Sequence, residues 1–133
     1  MKHLGRLTFV LMVSIAAAGL VQPAQASQDS KAVKTMAGIL LKLNHFPSDA
    51  EKKTLQGLID DKATTAHERT LAHALMHLQH AATAEDKPKL AAIGKDAAAP
   101  ASVRTLADIL LRLNHMPNAA DKEKLADIAG GTF

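Results

Sequence analysis

The sequence of 133 residues contains no cysteine, no tryptophan and no tyrosine, and only three phenylalanines. The lack of cysteine excludes disulfides, thiolate metal sites, covalent c-type haem attachment and a cysteine nucleophile. The scarcity of aromatic rings leaves almost no side chain on which a nucleic-acid base could stack. Histidine, with seven copies, is the enriched side chain that can carry chemistry.

Recognisable catalytic motifs are also absent from the sequence. It has no glycine-rich phosphate-binding loop and no serine within a Gly-x-Ser-x-Gly motif. The carboxylates are scattered, many of them in charged runs such as 51–53 and 121–124, which are typical of solvated helix surfaces. We therefore expect a protein that is not an enzyme.

The first 26 residues have the pattern of a secretory signal peptide. Lys2 and Arg6 form a short basic segment, a nearly continuous apolar run of 15 residues follows at 7–21, and the Ala-Gln-Ala at 24–26 is a typical cleavage site. The apolar run is shorter than the roughly 20 residues of a spanning helix, so a membrane anchor is the less favoured alternative. We expect cleavage after Ala26 and a periplasmic or secreted protein.

Removal of the signal peptide changes the charge balance of the chain. The full sequence has 16 Lys and Arg residues against 13 Asp and Glu residues, and two of the basic residues lie in the removed segment. The mature chain, residues 27–133, is left with 14 basic and 13 acidic residues, a net charge of +1. Such a small charge does not attract nucleic acid. We expect one domain, no nucleic-acid partner and no stable membrane anchor.

An internal repeat dominates the mature chain. Residues 34–60 and 104–130 are identical at 12 of 27 aligned positions, and a looser copy lies between them at 69–95. Thr35, Thr70 and Thr105 are 35 residues apart. A fixed period of this size is the signature of a repeat protein. The period is similar to that of tetratricopeptide repeats, but the aromatic positions of that consensus are empty, so we assign no family.

Each repeat has the pattern of two helices. Apolar residues recur at helical spacing in its first half, and Pro47 and Pro117 favour a helix end just before them. Ser48 with Glu51 forms a capping-box pattern at the start of the second helix. We predict six short helices, at about 30–45, 48–60, 65–80, 83–95, 100–115 and 118–129.

The predicted fold is all-α. It consists of three tandem αα-hairpin repeats of about 35 residues, at about 30–60, 65–95 and 100–130, after the cleaved signal peptide. Because one hairpin cannot bury its apolar stripe alone, the core must be shared between neighbouring repeats. The result is a small helical array or a closed bundle, and the sequence leaves the choice between them and the oligomeric state open.

Three histidines recur at the end of the first helix of each repeat, at His45, His80 and His115. A histidine in the last helical turn is favoured by the helix dipole and can bond the final carbonyls. We expect equivalent helix ends to be separated by an intervening helix, so that one metal ion could hardly be shared by all three. The sequence therefore favours a structural role for this set.

A second histidine set occurs only in the middle repeat. His73, His77 and His80 are at positions i, i+4 and i+7, which share one face of a continuous helix. Two imidazoles four residues apart can bind one divalent ion, and imidazole ligands suit Cu(II), Ni(II) and Zn(II). These three residues are the predicted metal ligands.

Helical repeats offer an extended binding surface without a reaction centre. The sequence favours a non-enzymatic periplasmic or secreted protein that binds a protein or peptide partner. The alternative is a periplasmic buffer or carrier of Cu, Ni or Zn ions that uses the helix-borne histidines. A holdase that shields unfolded proteins is a third and weaker hypothesis.

Overall fold

The computed structural model describes residues 29–130, which are all-helical and contain no strand. The predicted signal peptide, residues 1–26, lies outside these described residues. None of the helices within them is long and apolar enough to cross a membrane. The six helices are α1 (Lys31–Leu41), α2 (Asp49–Asp60), α3 (Ala66–Met76), α4 (Asp86–Lys95), α5 (Ala101–Arg112) and α6 (Ala119–Ala129).

Side-chain caps start four of the six described helices, and the cap of α2 lies where the sequence predicted it. Ser48 and Glu51 form the expected capping box at α2, and Thr65 does the same with Glu68 at α3. Asn118 caps α6 by accepting a hydrogen bond from a backbone N–H in its first turn. Each such cap typically contributes about 1 kcal/mol to helix stability.

The first helix of each repeat is shorter than predicted. We expected these helices to continue to residues 45, 80 and 115, but they end at Leu41, Met76 and Arg112. Tight hydrogen bonds to the third preceding residue, such as that from Leu43 N–H to the Leu40 carbonyl at 3.1 Å, close the last turn. Each of the loops that follow contains a histidine with a left-handed backbone, a conformation that cannot continue a right-handed α-helix.

The helices pack as three extensive pairs. α2 packs against α3, α4 against α5, and α6 returns to pack against α1. The five-residue linkers 61–65 and 96–100 explain the first two pairs, because short connections make consecutive helices antiparallel neighbours. The hairpins expected from the sequence, α1 with α2, α3 with α4 and α5 with α6, have smaller contacts.

Helices α1, α3 and α5 also contact one another and form the centre of the fold. Ala37, Ala72 and Ala107 are fully buried there, and their small side chains let the three helices approach closely. Leucines fill the layers on either side, and each buried leucine stabilises the fold by about 1.5–3 kcal/mol. The most deeply buried leucines are Leu40, Leu55, Leu71, Leu75, Leu78, Leu90, Leu106, Leu110 and Leu125.

Candidate metal centre

A ring of backbone hydrogen bonds joins the loops that follow α1, α3 and α5. The N–H of His45 donates to the carbonyl of His115 at 3.1 Å. The N–H of His80 donates to the carbonyl of His45 at 3.2 Å, and that of His115 donates to the carbonyl of His80 at 2.6 Å. Each histidine is therefore both donor and acceptor, and the three backbones are fixed around one axis.

The same three histidines have left-handed backbones. Their φ angles are 78° at His45, 65° at His80 and 67° at His115, and they are the non-glycine residues with positive φ in the described chain. A left-handed conformation is sterically unfavourable for residues with a Cβ and is usually taken by glycine or asparagine. The turn presents each imidazole at the C-terminal end of the central helices.

The imidazoles of His45, His80 and His115, which we call the histidine triad, converge. One ring nitrogen of each residue lies within 4.8 Å of the corresponding atoms of the other two. The ring centroids of His45 are 5.3 Å from His80 and 5.4 Å from His115, and those of His80 and His115 are 4.8 Å apart. His45 is half-buried, whereas His80 and His115 are exposed, so an ion can reach the site from solvent.

This spacing suits a transition metal. A tetrahedral zinc ion with Zn–N bonds of about 2.0–2.1 Å separates its nitrogen ligands by about 3.3 Å. The three nitrogens lie within 4.8 Å of one another, so they would have to move together by no more than about 1.5 Å to reach that spacing. Nδ1 of His115 lies 2.6 Å from the side-chain oxygen of Asn114. Because an amide oxygen can only accept a hydrogen bond, Nδ1–H of His115 is the donor. Nε2 of His115 then carries no proton and is the nitrogen that can bind a metal.

The predicted ligands His73, His77 and His80 do not form one cluster. The His73 and His77 rings are 4.2 Å apart, but His80 lies with His45 and His115. The helical relation on which the prediction rested does not hold, because α3 ends at Met76 and the i, i+7 spacing does not extend to position 80. His77 caps the helix instead, with its Nδ1 2.9 Å from the His73 carbonyl oxygen.

The expectation that His45, His80 and His115 are too far apart to share an ion is also wrong. It assumed an intervening helix between equivalent helix ends, whereas α1, α3 and α5 contact one another directly. The 35-residue spacing of these histidines was the sequence signal for the site. The spacing alone does not show that the three histidines meet at one point, because this also requires the packing of α6 on α1.

Other histidines of the described chain have local partners. Nε2 of His67 lies 2.9 Å from a carboxylate oxygen of Asp96. A hydrogen bond from the Ala98 backbone N–H, together with His67, lowers the pKa of Asp96. Nδ1 of His73 lies 3.5 Å from the buried carboxylate of Asp86. These contacts join α3 to α4 and lie outside the histidine triad.

The loop tips that carry the triad are uncharged and partly apolar, and the amine of Lys52 lies beside them, 5.9 Å from the Phe46 ring centroid. The loop tips 44–46, 79–81 and 114–116 contain no Asp, Glu, Lys or Arg. Phe46 is 57% exposed and Met116 is 46% exposed, and they are the exposed large hydrophobic residues of the described chain. A shallow pocket of about 590 Å³ lies beside the triad and is lined by His80, Phe46 and Leu78, among others.

Comparison of the chain with protein-family models, with curated proteins and with solved structures found no match. Its own residues therefore carry the functional inference. Three imidazoles at one point can bind a divalent transition metal and leave further coordination positions open to solvent.

Proposed function

We propose that this protein is a non-enzymatic binding protein that holds a divalent transition metal, Zn(II), Cu(II) or Ni(II), through His45, His80 and His115. The observation that carries the proposal is the convergence of their ring nitrogens within 4.8 Å. Imidazole is a ligand that suits all three metals. The backbone hydrogen-bond ring preorganises the ligands, which lowers the entropic cost of binding.

The left-handed backbones support a ligand role for these side chains. A non-glycine residue in this region costs of order 1–3 kcal/mol, and such strain clusters at functional sites. Glycine would adopt the same φ angles without a steric cost. The fold alone would be served as well by glycine at positions 45, 80 and 115, yet an imidazole occupies each of them.

The proposal also covers the repeat organisation of the chain and its location. The described helices and the 35-residue sequence period together support three repeats at about 30–60, 65–95 and 100–130. The N-terminal pattern of basic residues, apolar run and Ala-Gln-Ala supports export and cleavage after Ala26. The protein is then a periplasmic or secreted metal buffer or carrier.

Calorimetric titration of the purified protein, prepared without a polyhistidine tag, tests the metal site. We expect Zn(II) or Ni(II) to bind with a Kd below about 1 μM, equivalent to about −8 kcal/mol. A triple variant with His45→Asn, His80→Asn and His115→Asn should lose this binding, because asparagine tolerates the left-handed backbone but replaces the imidazole.

The matched control is the double variant His73→Ala with His77→Ala. It removes two histidines of the same protein and leaves the triad intact, so we expect its metal affinity to be unchanged. Binding that survives the triple substitution, or that is lost in the double variant, would contradict the proposed site. Weak binding at several sites in the unmodified protein would contradict it as well.

The second candidate function is binding of a protein or peptide partner. The exposure of Phe46 and Met116, which each follow a residue of the triad, favours it, because exposed apolar patches mark interaction sites. A photo-crosslinking residue placed at position 46 in the exported protein tests this candidate. A discrete adduct with one other protein supports it, and diffuse labelling equal to that from exposed position 53 argues against it.

A further inference from the structure

The triad occupies only one side of a metal ion. Three nitrogens converge from one chain, and the exposure of His80 and His115 leaves the opposite side of the ion to solvent. Building on the metal function proposed above, we infer that the metal joins two copies of this chain face to face. His45, His80 and His115 of each copy then supply six imidazole nitrogens to one ion.

The geometry of the loop tips fits such a pair. The backbone hydrogen bonds among His45, His80 and His115 run in one cyclic direction, so the three ligand-bearing loops are arranged around one axis. Three donors placed in this way form one face of an octahedron. A second copy, turned over on the same axis, supplies the opposite face, and the interface is isologous, with the same residues on both sides.

The charge distribution permits the contact. In an isologous interface a charged group that lies near the two-fold axis meets its own copy, which is repulsive. The nine residues 44–46, 79–81 and 114–116 have no charged side chain among them. Arg112 lies just behind one tip, but Asp121 binds its guanidinium and compensates its charge. The loop tips are therefore uncharged in a protein of which 22% of the residues are charged, and the amine of Lys52, 5.9 Å from the Phe46 ring centroid, lies at their edge.

The apolar side chains on this face gain from burial. Phe46 and Met116 directly follow two of the ligands, and they are the exposed large hydrophobic residues of residues 29–130. The pocket beside His80, lined in part by Phe46 and Leu78, is the nearest concave surface. Contact with a second copy removes these side chains from water and places them around the metal, where they also exclude solvent from it.

The size of the face makes the pair metal-dependent. Stable protein interfaces bury about 1,200–2,000 Å² in total. Nine loop-tip residues on each copy form a smaller contact, in which six metal bonds supply most of the binding. We therefore expect a monomer without metal and a dimer at half an equivalent of metal per chain.

Sedimentation velocity during titration with Ni(II) tests this inference. We expect the mass to double as Ni(II) approaches 0.5 equivalents per chain and to return to that of the monomer on addition of EDTA. Calorimetry on the same sample should give a stoichiometry of 0.5. Binding of one Ni(II) per chain in a persistent monomer would overturn the dimer and leave the proposed metal function standing. Absence of binding would overturn both.

The control is the double variant Phe46→Ser with Met116→Ser, which changes the face and none of the ligands. We expect it to bind Ni(II) but to form the dimer at least tenfold more weakly. Equal dimerisation of this variant would contradict the apolar contact. A dimer that forms without metal, or that persists in the triple His→Asn variant, would overturn the role of the metal.

Discussion

The N–H of His80 donates a hydrogen bond to the carbonyl of His45 at 3.2 Å, although 35 residues separate them along the chain. Both residues have left-handed backbones, with φ angles of 65° and 78°. The same contact recurs twice more through His115 and closes the ring. The imidazoles are thus positioned by long-range backbone contacts.

Substitutions at His80 should separate the backbone requirement from the imidazole requirement. We expect His80→Gly to change the free energy of unfolding by less than about 1 kcal/mol, because glycine adopts positive φ freely. His80→Val should destabilise by more, at least about 1–2 kcal/mol, because a β-branched residue is strained there. Urea denaturation measures both values, and both variants should lose the metal site.

The control for this comparison is position 77, where φ is −93°. His77→Gly relieves no strain there and, because glycine is unfavourable at a helix end with ordinary φ, should be no more stable than His77→Ala. If His80→Val proved as stable as His80→Gly, the left-handed backbone at position 80 would be ruled out.

Two buried carboxylates at equivalent positions should respond differently to neutralisation. Asp121 is 4% exposed, and its carboxylate is bound by the Arg112 guanidinium, whose pKa it raises, whereas its backbone N–H donates to the Asn118 side chain. Asp86 is 2% exposed; Thr83 donates a hydrogen bond to one of its oxygens, and the other makes only longer ion pairs, with His73 at 3.5 Å and Lys89 at 3.7 Å. A charge-assisted hydrogen bond is worth about 1.5–3 kcal/mol.

We therefore expect Asp121→Asn to destabilise the protein by about 1–2 kcal/mol, a value that allows for the partial exposure of Arg112. Asp86→Asn should cost less, since it weakens two longer ion pairs, with His73 and Lys89, and no direct hydrogen bond to a guanidinium. Thermal denaturation of the two variants beside the exposed control Asp49→Asn gives the order. A larger loss for Asp86→Asn would contradict the hydrogen-bond assignment.

The close approach of the central helices should make Ala72 intolerant of larger side chains. Ala72 is fully buried on α3, where α1 and α5 are in contact. We expect Ala72→Leu to destabilise by about 1–3 kcal/mol through overpacking. It should also weaken metal binding, because separation of the three helices moves their histidine-bearing ends apart.

The matched control is Ala119→Leu, at an exposed position at the start of α6. We expect it to change stability by no more than about 0.5 kcal/mol. Ala72→Leu with unchanged stability and unchanged metal affinity would mean that the central helices are not closely packed. Stability is read from urea denaturation and affinity from calorimetry.

Local signals predicted the helices well. The apolar spacing gave six helices and an all-α fold, and the capping box at Ser48 lies where the sequence predicted it. Such features depend on residues three or four apart, and a linear sequence displays them directly. The core leucines at 35-residue spacing follow from the same pattern.

The histidine site depended on information that is not local. The spacing of His73, His77 and His80 suggested one helical face, but the helix ends at Met76 because the chain turns into the left-handed residue at position 80. That turn is stabilised by hydrogen bonds from other repeats. The contact of α6 with α1 brings His45 and His115 to the same axis, and no short segment of sequence encodes it.

The X-ray absorption spectrum of the metal-loaded protein tests the central claim most directly, because it counts the imidazoles around the ion. The account predicts a nitrogen shell at about 2.0–2.1 Å with imidazole scattering from three rings for each chain bound. That scattering should disappear in the triple His→Asn variant. A shell of oxygen ligands alone, or imidazole scattering that depends on His73 and His77 instead, would contradict the metal site at His45, His80 and His115.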